Sequence, residues 1–239
     1  MRWAMAVVCG TIALVHTLPA PFLLDAMAGG RSVWHLPRGL PTIYLTYDDG
    51  PNQSTTPDLL DALAREGVHA TFFLIDEQVT ADTAPIISRM FADGHAVALH
   101  SRQRWDLLRS STSIARLLTA HADRLESLAG ARPCRAFRPH GGWRSLSMYH
   151  GLQAIDYRLI GWGWMLWDVD PLHARTATRV VHRIGPRVRA GDIIVMHDGD
   201  DAAPRKDQRQ AVEATARLIP QLRARGFEFG KVCRSVGTF

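Results

Sequence analysis

The sequence predicts an α/β fold built on a parallel sheet, and two observations support this prediction. Apolar segments typical of strands alternate along the chain with segments of helical periodicity, which indicates parallel strands covered by helices. Polar residues recur at or just beyond the C-terminal ends of the predicted strands, where a parallel barrel collects its catalytic groups. The alternation of strands and helices allows either a closed barrel or an open doubly wound sheet. The location of the polar residues at the same end of the predicted strands favours a barrel-type site.

The individual elements follow from periodicity and from the residues that begin and end helices. Residues 69–75 form a continuous apolar run, typical of a strand that is buried on both faces. A helix begins at Thr56-Pro57, with proline in its first turn, and ends at Gly67. The predicted strands span residues 43–48, 69–75, 95–100, 134–139, 157–160, 163–167, 192–196 and 227–232, and the predicted helices span residues 56–67, 86–94, 113–128, 145–154, 176–184 and 208–225.

The N-terminal segment, residues 1–28, has the layout of a secretory signal. Arg2 precedes a long apolar stretch without a charged residue before Asp25, and residues 26–28 offer a cleavage site of the small-x-small type. The stretch is also long enough for an uncleaved membrane anchor. We therefore expect an exported protein that is periplasmic, extracellular or membrane-anchored, with an irregular lead-in segment at residues 29–40.

The charge and the cysteine content indicate which partners and which redox environment are compatible with the sequence. The net charge is +5 and the pI is near 9.6. The arginines are scattered through helical segments, so the sequence favours a solvated basic surface over nucleic acid binding. Export would place Cys134 and Cys233 in an oxidising compartment, where they either form a disulfide or remain two separate small buried residues.

The most informative stretch is residues 42–52, a strand-like run that ends at Gly50-Pro51 with the adjacent carboxylates of Asp48 and Asp49. Neighbouring strand residues point to opposite faces, so both carboxylates can face inward only if the strand is already turning. Two anions in a dry site need a cation or strong donors nearby. The alternative for this stretch alone is a turn in which Asp49 starts an Asx-type bend.

Polar residues at the ends of several predicted strands are expected to meet. They are Asp48, Asp49, His100, Arg138, Asp168, Asp170 and His197. Because the carboxyl ends of the strands converge on one mouth of a parallel barrel, we expect these side chains to surround a shared pocket.

Five short motifs resemble, in order, those of the polysaccharide deacetylases, which are metal-dependent carbohydrate esterases with a NodB-homology domain. The motifs are Thr46-Tyr47-Asp48-Asp49-Gly50-Pro51, His100-Ser101, Phe137-Arg138-Pro139, Trp167-Asp168-Val169-Asp170 and Val195-Met196-His197-Asp198. The similarity spans about residues 41–233 and leaves a C-terminal tail at residues 234–239. It implies a single catalytic domain folded as a distorted (β/α)7 barrel resembling a TIM barrel, with an acetylated glycan as its substrate.

The resemblance also implies a role for each motif residue. Asp48 would be the general base, and His197 would be the general acid. Arg138 would keep Asp48 ionised and oriented. Asp49 and His100 would bind a divalent metal, with zinc as the first candidate, because such an ion activates water and polarises an acyl oxygen.

Arg104 stands where the family usually has a second metal-binding histidine. A guanidinium has no lone pair and cannot ligate a metal. Three explanations stay open. Another residue, with His140 as the best candidate, completes the metal site; the guanidinium replaces the metal's charge beside Asp48 and Asp49 in a metal-free or slower hydrolase; or the domain has lost catalysis and only binds glycan.

Further substrate contacts are expected around the mouth. The backbone N–H of Gly141 would contribute to the oxyanion hole, although the family usually has an aromatic residue at this position. Trp105 and Trp143 lie beside the mouth motifs and are candidates for sugar-stacking subsites. Asp170 or Asp168 would replace the aspartate that usually tunes the catalytic histidine in the fourth motif.

Two other sequence patterns can be interpreted either structurally or functionally. Trp162, Trp164 and Trp167 alternate with other residues, which favours barrel packing over a sugar-binding groove. Residues 198–201 contain three aspartates that could bind a cation, although such a run is more often a solvated loop.

These observations together predict an exported hydrolase of non-peptide carbon–nitrogen bonds that deacetylates an N-acetylated glycan. The alternatives are a catalytically silent glycan-binding homologue and an unrelated barrel glycosidase. A glycosidase needs two carboxylates on separate strands, whereas the strongest pair here is adjacent on one strand. The sequence contains no indication of the oligomeric state.

Overall fold

The structure, a computed structural model, describes residues 24, 28–29, 32–163 and 176–233. Within these residues, strands and helices alternate as the sequence predicts. The elements are β1 (Ser32–Val33), β2 (Thr42–Gly50), α1 (Thr56–Glu66), β3 (Thr71–Ile75), α2 (Ala84–Ala92), β4 (Ala96–His100), α3 (Ser111–Ala129), β5 (Ala136–Arg138), α4 (Leu146–Ala154), β6 (Arg158–Ile160), α5 (Ala177–Ile184), β7 (Ile193–His197), α6 (Arg209–Ala224) and β8 (Glu228–Gly230). Short 3₁₀ turns span Asp76–Gln78, Arg104–Leu108 and His140–Gly142.

The strands form one parallel sheet in the order β1-β6-β5-β4-β3-β2-β7, and β8 pairs with the beginning of β2. The sheet curls, so its two ends approach each other. His35 forms an isolated bridge with Asp192, and the backbone N–H of Leu36 donates to the carbonyl of Gly191 at 2.8 Å. The predicted distorted barrel is therefore confirmed, with helices on its outer surface.

Strand β2 shows how the sheet separates two cores. Leu45 and Tyr47 belong to the large core between the sheet and the helices, whereas Tyr44 belongs to a smaller cluster inside the curl. Burial of each such large side chain contributes about 1.5–3 kcal/mol. Because side chains alternate along a strand, Thr46 and Asp48 continue the inner face toward the C-terminal mouth.

Local signals end and begin the helices close to where the sequence predicts. Gly67 closes α1 and Gly130 closes α3, each in the left-handed conformation that glycine adopts without steric cost. The hydroxyls of Ser110 and Ser145 accept backbone N–H groups at the starts of α3 and α4.

The segment before β2 differs from its prediction. Residues 29–40 are expected to be irregular, but β1 pairs in parallel with β6. A strand of two residues has no measurable alternation, so the sequence pattern could not identify it.

Several predictions fall on residues that lie outside the described ones. They concern most of the N-terminal segment 1–28, residues 164–167 of one predicted strand, and the C-terminal tail 234–239. Among the residues that are described, no helix combines the length and apolar character needed to cross a membrane.

Cys134 and Cys233 form a disulfide, with their Cα atoms 6.0 Å apart. The bond joins the segment before β5 to the segment after β8. Of the two alternatives for these cysteines, the paired one is therefore correct.

Candidate active site

A cavity of about 230 Å³ opens at the C-terminal ends of the strands. It is lined by polar side chains from several strand ends and by one tryptophan and two glycines. The lining residues are Asp48, Asp49, His100, His140, Gly141, Trp162, His197, Gly199, Asp200, Asp201 and Gln208. Of the seven residues expected to meet, four line this cavity, namely Asp48, Asp49, His100 and His197. Arg138 is not among the lining residues, and Asp168 and Asp170 lie outside the described ones.

A bulge at the end of β2 brings both adjacent carboxylates to this pocket. Asp48 pairs with Phe73 of β3 and Gly50 pairs with Leu74, so Asp49 is an extra residue in the strand. Asp49 has a φ of 65°, in the left-handed region that few side chains other than Asp and Asn adopt. The strand is therefore already turning at the carboxylate pair, as the sequence argument requires.

The loop that follows β7 packs directly against this bulge. A Cβ atom added to Gly199 would lie 1.7 Å from the carbonyl oxygen of Asp49, and one added to Gly50 would lie 2.7 Å from Oδ2 of Asp198. Both positions therefore require glycine. The close approach fixes the backbone that carries Asp49.

Arg138 is fully buried and is the central donor beneath the pocket. Its Nη1 donates to Oδ1 of Asp48 at 2.5 Å and to Oγ1 of Thr46 at 2.9 Å, and its Nη2 donates to the carbonyl of Gly161 at 3.1 Å. The guanidinium also lies 3.9 Å above the ring of Phe73. These contacts fix one oxygen of the Asp48 carboxylate and supply the charge that a buried anion needs.

His100 directs its Nε2 toward a buried carboxylate oxygen. Its Nδ1 lies 2.8 Å from the carbonyl oxygen of Arg138 and must donate a proton there, because a carbonyl can only accept. Its Nε2 lies 3.1 Å from Oδ1 of Asp49, a buried atom without a hydrogen bond among the described residues. Two acceptors at this distance require a proton or a cation between them.

His140 completes a group of three candidate ligands. One ligand atom from each of Asp49, His100 and His140 lies within 4.8 Å of the others. The backbone N–H of His140 donates to Oγ of Ser101 at 2.7 Å, so the residue after His100 also positions His140. The sequence places a candidate third ligand at His140, and the structure brings it to the other two.

The charges in the pocket shift the pKa values of these groups. Burial by itself would raise the pKa of Asp49, but the imidazoles of His100, His197 and His140 outweigh it and hold that pKa well below its usual range. Burial lowers the pKa of His100, yet Asp48 and Asp49 more than compensate, so the net shift is upward. Asp49 is therefore an anion that interacts most favourably with positive charge.

Asp198 is a buried carboxylate behind the pocket. The hydroxyl of Thr56 donates to its Oδ2 at 2.5 Å, while its Oδ1 has no hydrogen bond within the described part of the chain. Burial raises the pKa of Asp198 to about 7, and the charges of Asp49 and Asp48 add to this rise. Its place beneath Gly50 makes it part of the support of the bulge.

Arg104 lies away from the pocket. It is exposed, it is not among the lining residues, and its guanidinium carbon lies 5.2 Å from the ring centroid of Trp105. Arg104 therefore cannot replace a metal's charge beside Asp48 and Asp49 in this arrangement.

The other predicted substrate contacts occupy different positions at the mouth. Gly141 lines the pocket with a φ of 52°, and a Cβ atom at this position would lie 3.3 Å from Cδ1 of Trp143. Trp143 is half-buried and Trp105 is 59% exposed, and neither lines the pocket itself. Asp168 and Asp170 lie outside the described residues.

The sequence favours barrel packing for Trp162 and does not identify Gln208, yet both line the pocket. Trp162 lines the pocket and also packs edge-on against Trp34, with ring centroids 6.1 Å apart, so it belongs both to the barrel and to the site. Its place directly after β6 is a strand-end signal of the kind that identified the other residues. Gln208 precedes α6 and carries no such signal.

Sequence comparisons show which known proteins this chain is similar to. A sequence profile of the polysaccharide deacetylase family matches residues 36–160. The chain is 36% identical over 207 residues to a chitooligosaccharide deacetylase of Bradyrhizobium sp. (strain ANU 289), covering 80% of this chain and 88% of the relative. It is 26% identical over 201 residues to a peptidoglycan-N-acetylglucosamine deacetylase of Bacillus cereus, covering 84% and 90%.

The fold is also similar to solved structures. A family 4 acetyl xylan esterase from Clostridium thermocellum, solved in complex with a cobalt ion, superposes with a TM-score of 0.69 at 28% identity, covering 82% of this chain and 91% of that one. The matching profile spans strands β2 to β6. The chain belongs to the polysaccharide deacetylase family.

Proposed function

We propose that this protein hydrolyses the acetamido group of an N-acetylated glycan, with a divalent metal held by Asp49, His100 and His140. The observation that carries the proposal is the buried pair of candidate ligand atoms, Nε2 of His100 and Oδ1 of Asp49, 3.1 Å apart beside the third candidate ligand. The named activities of the related deacetylases support the substrate class.

The donor set fits a catalytic metal. One carboxylate and two imidazoles are ligands of the kind that hold zinc in hydrolytic sites with an open position, so zinc is our first candidate. When bound, such an ion would polarise the acyl oxygen and favour ionisation of water. His100 is oriented for this role, because its Nδ1 is committed to the carbonyl of Arg138.

Asp48 is the general base in this proposal. Its carboxylate lines the pocket and accepts a hydrogen bond from Nη1 of Arg138 through Oδ1, and the same Nη1 also donates to Oγ1 of Thr46. Arg138 keeps the carboxylate ionised and oriented, so it can accept the proton of the attacking water. Proton transfers of this kind contribute typically ~10²–10⁴-fold to the rate.

His197 is the general acid. It occupies the same register on β7 as Asp48 on the neighbouring β2, so the two side chains reach the mouth side by side. Imidazole suits the donation of a proton to a departing amine, because its pKa lies near working pH. Base and acid on adjacent strands can therefore act on opposite sides of one scissile bond.

The remaining contacts position the sugar and its acetyl group. We assign the backbone N–H of Gly141 to the oxyanion that develops on the acyl oxygen, and the ring of Trp162 to the apolar wall of the pocket. Trp105 and Trp143 would contact neighbouring sugars from the rim.

We also propose that the chain is exported, with residues 1–28 as a signal or anchor, followed by the catalytic domain at about residues 41–233. The disulfide between Cys134 and Cys233 supports an oxidising compartment.

The decisive experiment measures acetate release and metal content together. The purified protein is incubated with an N-acetylchitooligosaccharide and with O-acetylated xylan, before and after chelation and after return of zinc or cobalt. We expect acetate from the first substrate, loss of activity on chelation and recovery with metal, whereas Asp48→Asn stays inactive throughout. No acetate from either substrate, despite one bound metal, would favour a silent glycan-binding protein instead.

A further inference from the structure

The loop after β7, residues 198–201, is held in place by three side chains from distant parts of the chain. The carbonyl of Gly199 accepts from Nε2 of Gln208 at 2.7 Å. The carbonyl of Asp200 accepts from Nε2 of Gln78 at 3.0 Å, and that of Asp201 accepts from Nε of Arg102 at 3.2 Å. Three successive carbonyls are thus fixed, and the loop is not a freely solvated run of acids.

The carboxylates of this loop have different environments. Asp198 is buried against Thr56. Asp200 accepts the backbone N–H groups of the two following alanines and forms an ion pair with Lys206. Asp201 lines the pocket, and no hydrogen bond or ion pair reaches its carboxylate from the described residues.

Among the described residues, Asp201 therefore lines the pocket with a carboxylate that takes part in no hydrogen bond or ion pair, and the nearby imidazole of His140 is a titratable group that its charge acts on. Asp48 is paired with Arg138, and Asp49 belongs to the ligand group with the two histidines. Asp201 is not a member of that ligand group, and it lines the cavity in which the substrate would bind. A fixed, partly buried carboxylate that is unpaired in the resting protein is suited to a cationic ligand.

We propose that Asp201 is a specificity-determining residue that binds the ammonium group of a glucosamine unit next to the acetamido sugar being hydrolysed. The inference rests on the proposed function. Hydrolysis of an acetamido group breaks its C–N bond, forms acetate and leaves an amine that takes up a proton. The product of one turnover thus carries the cation that Asp201 recognises, and the protein prefers partly deacetylated glycans.

The test compares two oligosaccharides of equal length, one fully N-acetylated and one containing a single glucosamine beside an N-acetylglucosamine. The unmodified protein should have a higher kcat/KM for the second. Asp201→Asn should remove this preference, with a loss of about tenfold for the glucosamine-containing oligomer, the order expected for a hydrogen bond between charged groups. Activity on the fully acetylated oligomer should change less than about twofold in the same variant.

Two further variants make the result specific. Asp201→Glu retains the charge and should retain part of the preference. Asp207→Asn removes the same charge from an exposed residue paired with Arg209 and should have no effect. Because the bond from Arg102 goes to the main chain, Asp201→Asn should keep the loop in place, and unchanged metal content would verify this.

The possible results separate this inference from the proposed function. Equal loss on both oligomers, or no change on either, would overturn the role of Asp201 while leaving the deacetylase assignment intact. Absence of acetate release from both oligomers by the unmodified protein would overturn the proposed function itself. A preference that weakens at high salt would support the ionic contact.

Discussion

The imidazoles of His140 and His100 lie with their ring centroids 6.3 Å apart, although the whole of α3 separates them in sequence. The contact exists because β4 and β5 are neighbours in the sheet and pair at His100 and Arg138, so their following residues reach the same side of the mouth. We infer that His140 supplies the ligand which the family usually takes from the position of Arg104. The metal site would then keep its composition while one ligand moves to another loop.

The first prediction concerns the proposed base. Asp48→Asn should lower kcat by about 10²–10⁴-fold, because the amide cannot accept the proton of the attacking water. Metal content should remain unchanged, since Asp48 is not in the ligand group. Steady-state kinetics with metal analysis would check this, with the exposed Asp82→Asn as a control of equal charge change. Near-normal kcat in Asp48→Asn would exclude the role.

The second prediction concerns the buried ion pair. Arg138→Met should lower the free energy of unfolding by about 3–5 kcal/mol, because Asp48 would be left as a buried anion without its cation. Urea denaturation measures this loss. The double variant Arg138→Met with Asp48→Asn should be more stable than the sum of the two single losses predicts, and simple additivity would argue against the pairing.

The third prediction concerns the contact between the β7 loop and the bulge. Gly199→Ala should destabilise the protein by about 1–3 kcal/mol and weaken metal binding, because its Cβ would collide with the carbonyl oxygen of Asp49. Gly39→Ala is a matched control, since no atom lies within 4 Å of a Cβ at that position. Equal effects of the two substitutions on denaturation and metal titration would show that the loop does not support Asp49.

The fourth prediction concerns acid stability at the opposite end of the barrel. Nδ1 of His95 accepts the backbone N–H of Ala70 at 3.1 Å, so this nitrogen must be unprotonated. Burial lowers the pKa of His95 from 6.5 to about 4, and the nearby His69 adds to the effect. The unfolded chain therefore binds more protons than the folded one between these values.

The sign of the pH dependence follows from this difference. The contribution of His95 to stability is fully present above pH 6.5 and is lost as the pH falls toward 4, by up to about 3 kcal/mol. His95→Gln, whose amide oxygen can accept the same N–H, should flatten urea midpoints over this range. The exposed His150→Gln should leave the profile unchanged, and an unaltered profile in His95→Gln would refute the assignment.

The sequence predicted the fold because its signals are repetitive. Each parallel strand is a short apolar run, and Gly67 closes a helix where expected. The two-residue β1 carries no such repetition and was missed. The site residues at strand ends were found because a parallel barrel brings those ends together, whatever the distance along the chain.

Other parts of the site have no local signal. The bulge at Asp49 depends on packing by Gly199, which comes from a distant loop. The shape of the 198–201 loop depends on hydrogen bonds from Gln78, Arg102 and Gln208. From its composition alone, this loop resembles a solvated run of acids. The side chains that donate to its carbonyls lie elsewhere in the sequence, so the sequence of the loop does not indicate them.

The central claim is that His140, and not Arg104, completes the metal site, and metal titration of three proteins tests it most directly. The unmodified chain should bind one divalent ion, Arg104→Ala should bind it equally well, and His140→Ala should bind it at least about tenfold more weakly, since a lost ligand costs no less than a lost supporting contact. Unchanged affinity in His140→Ala, with loss of the ion in Arg104→Ala, would contradict the account.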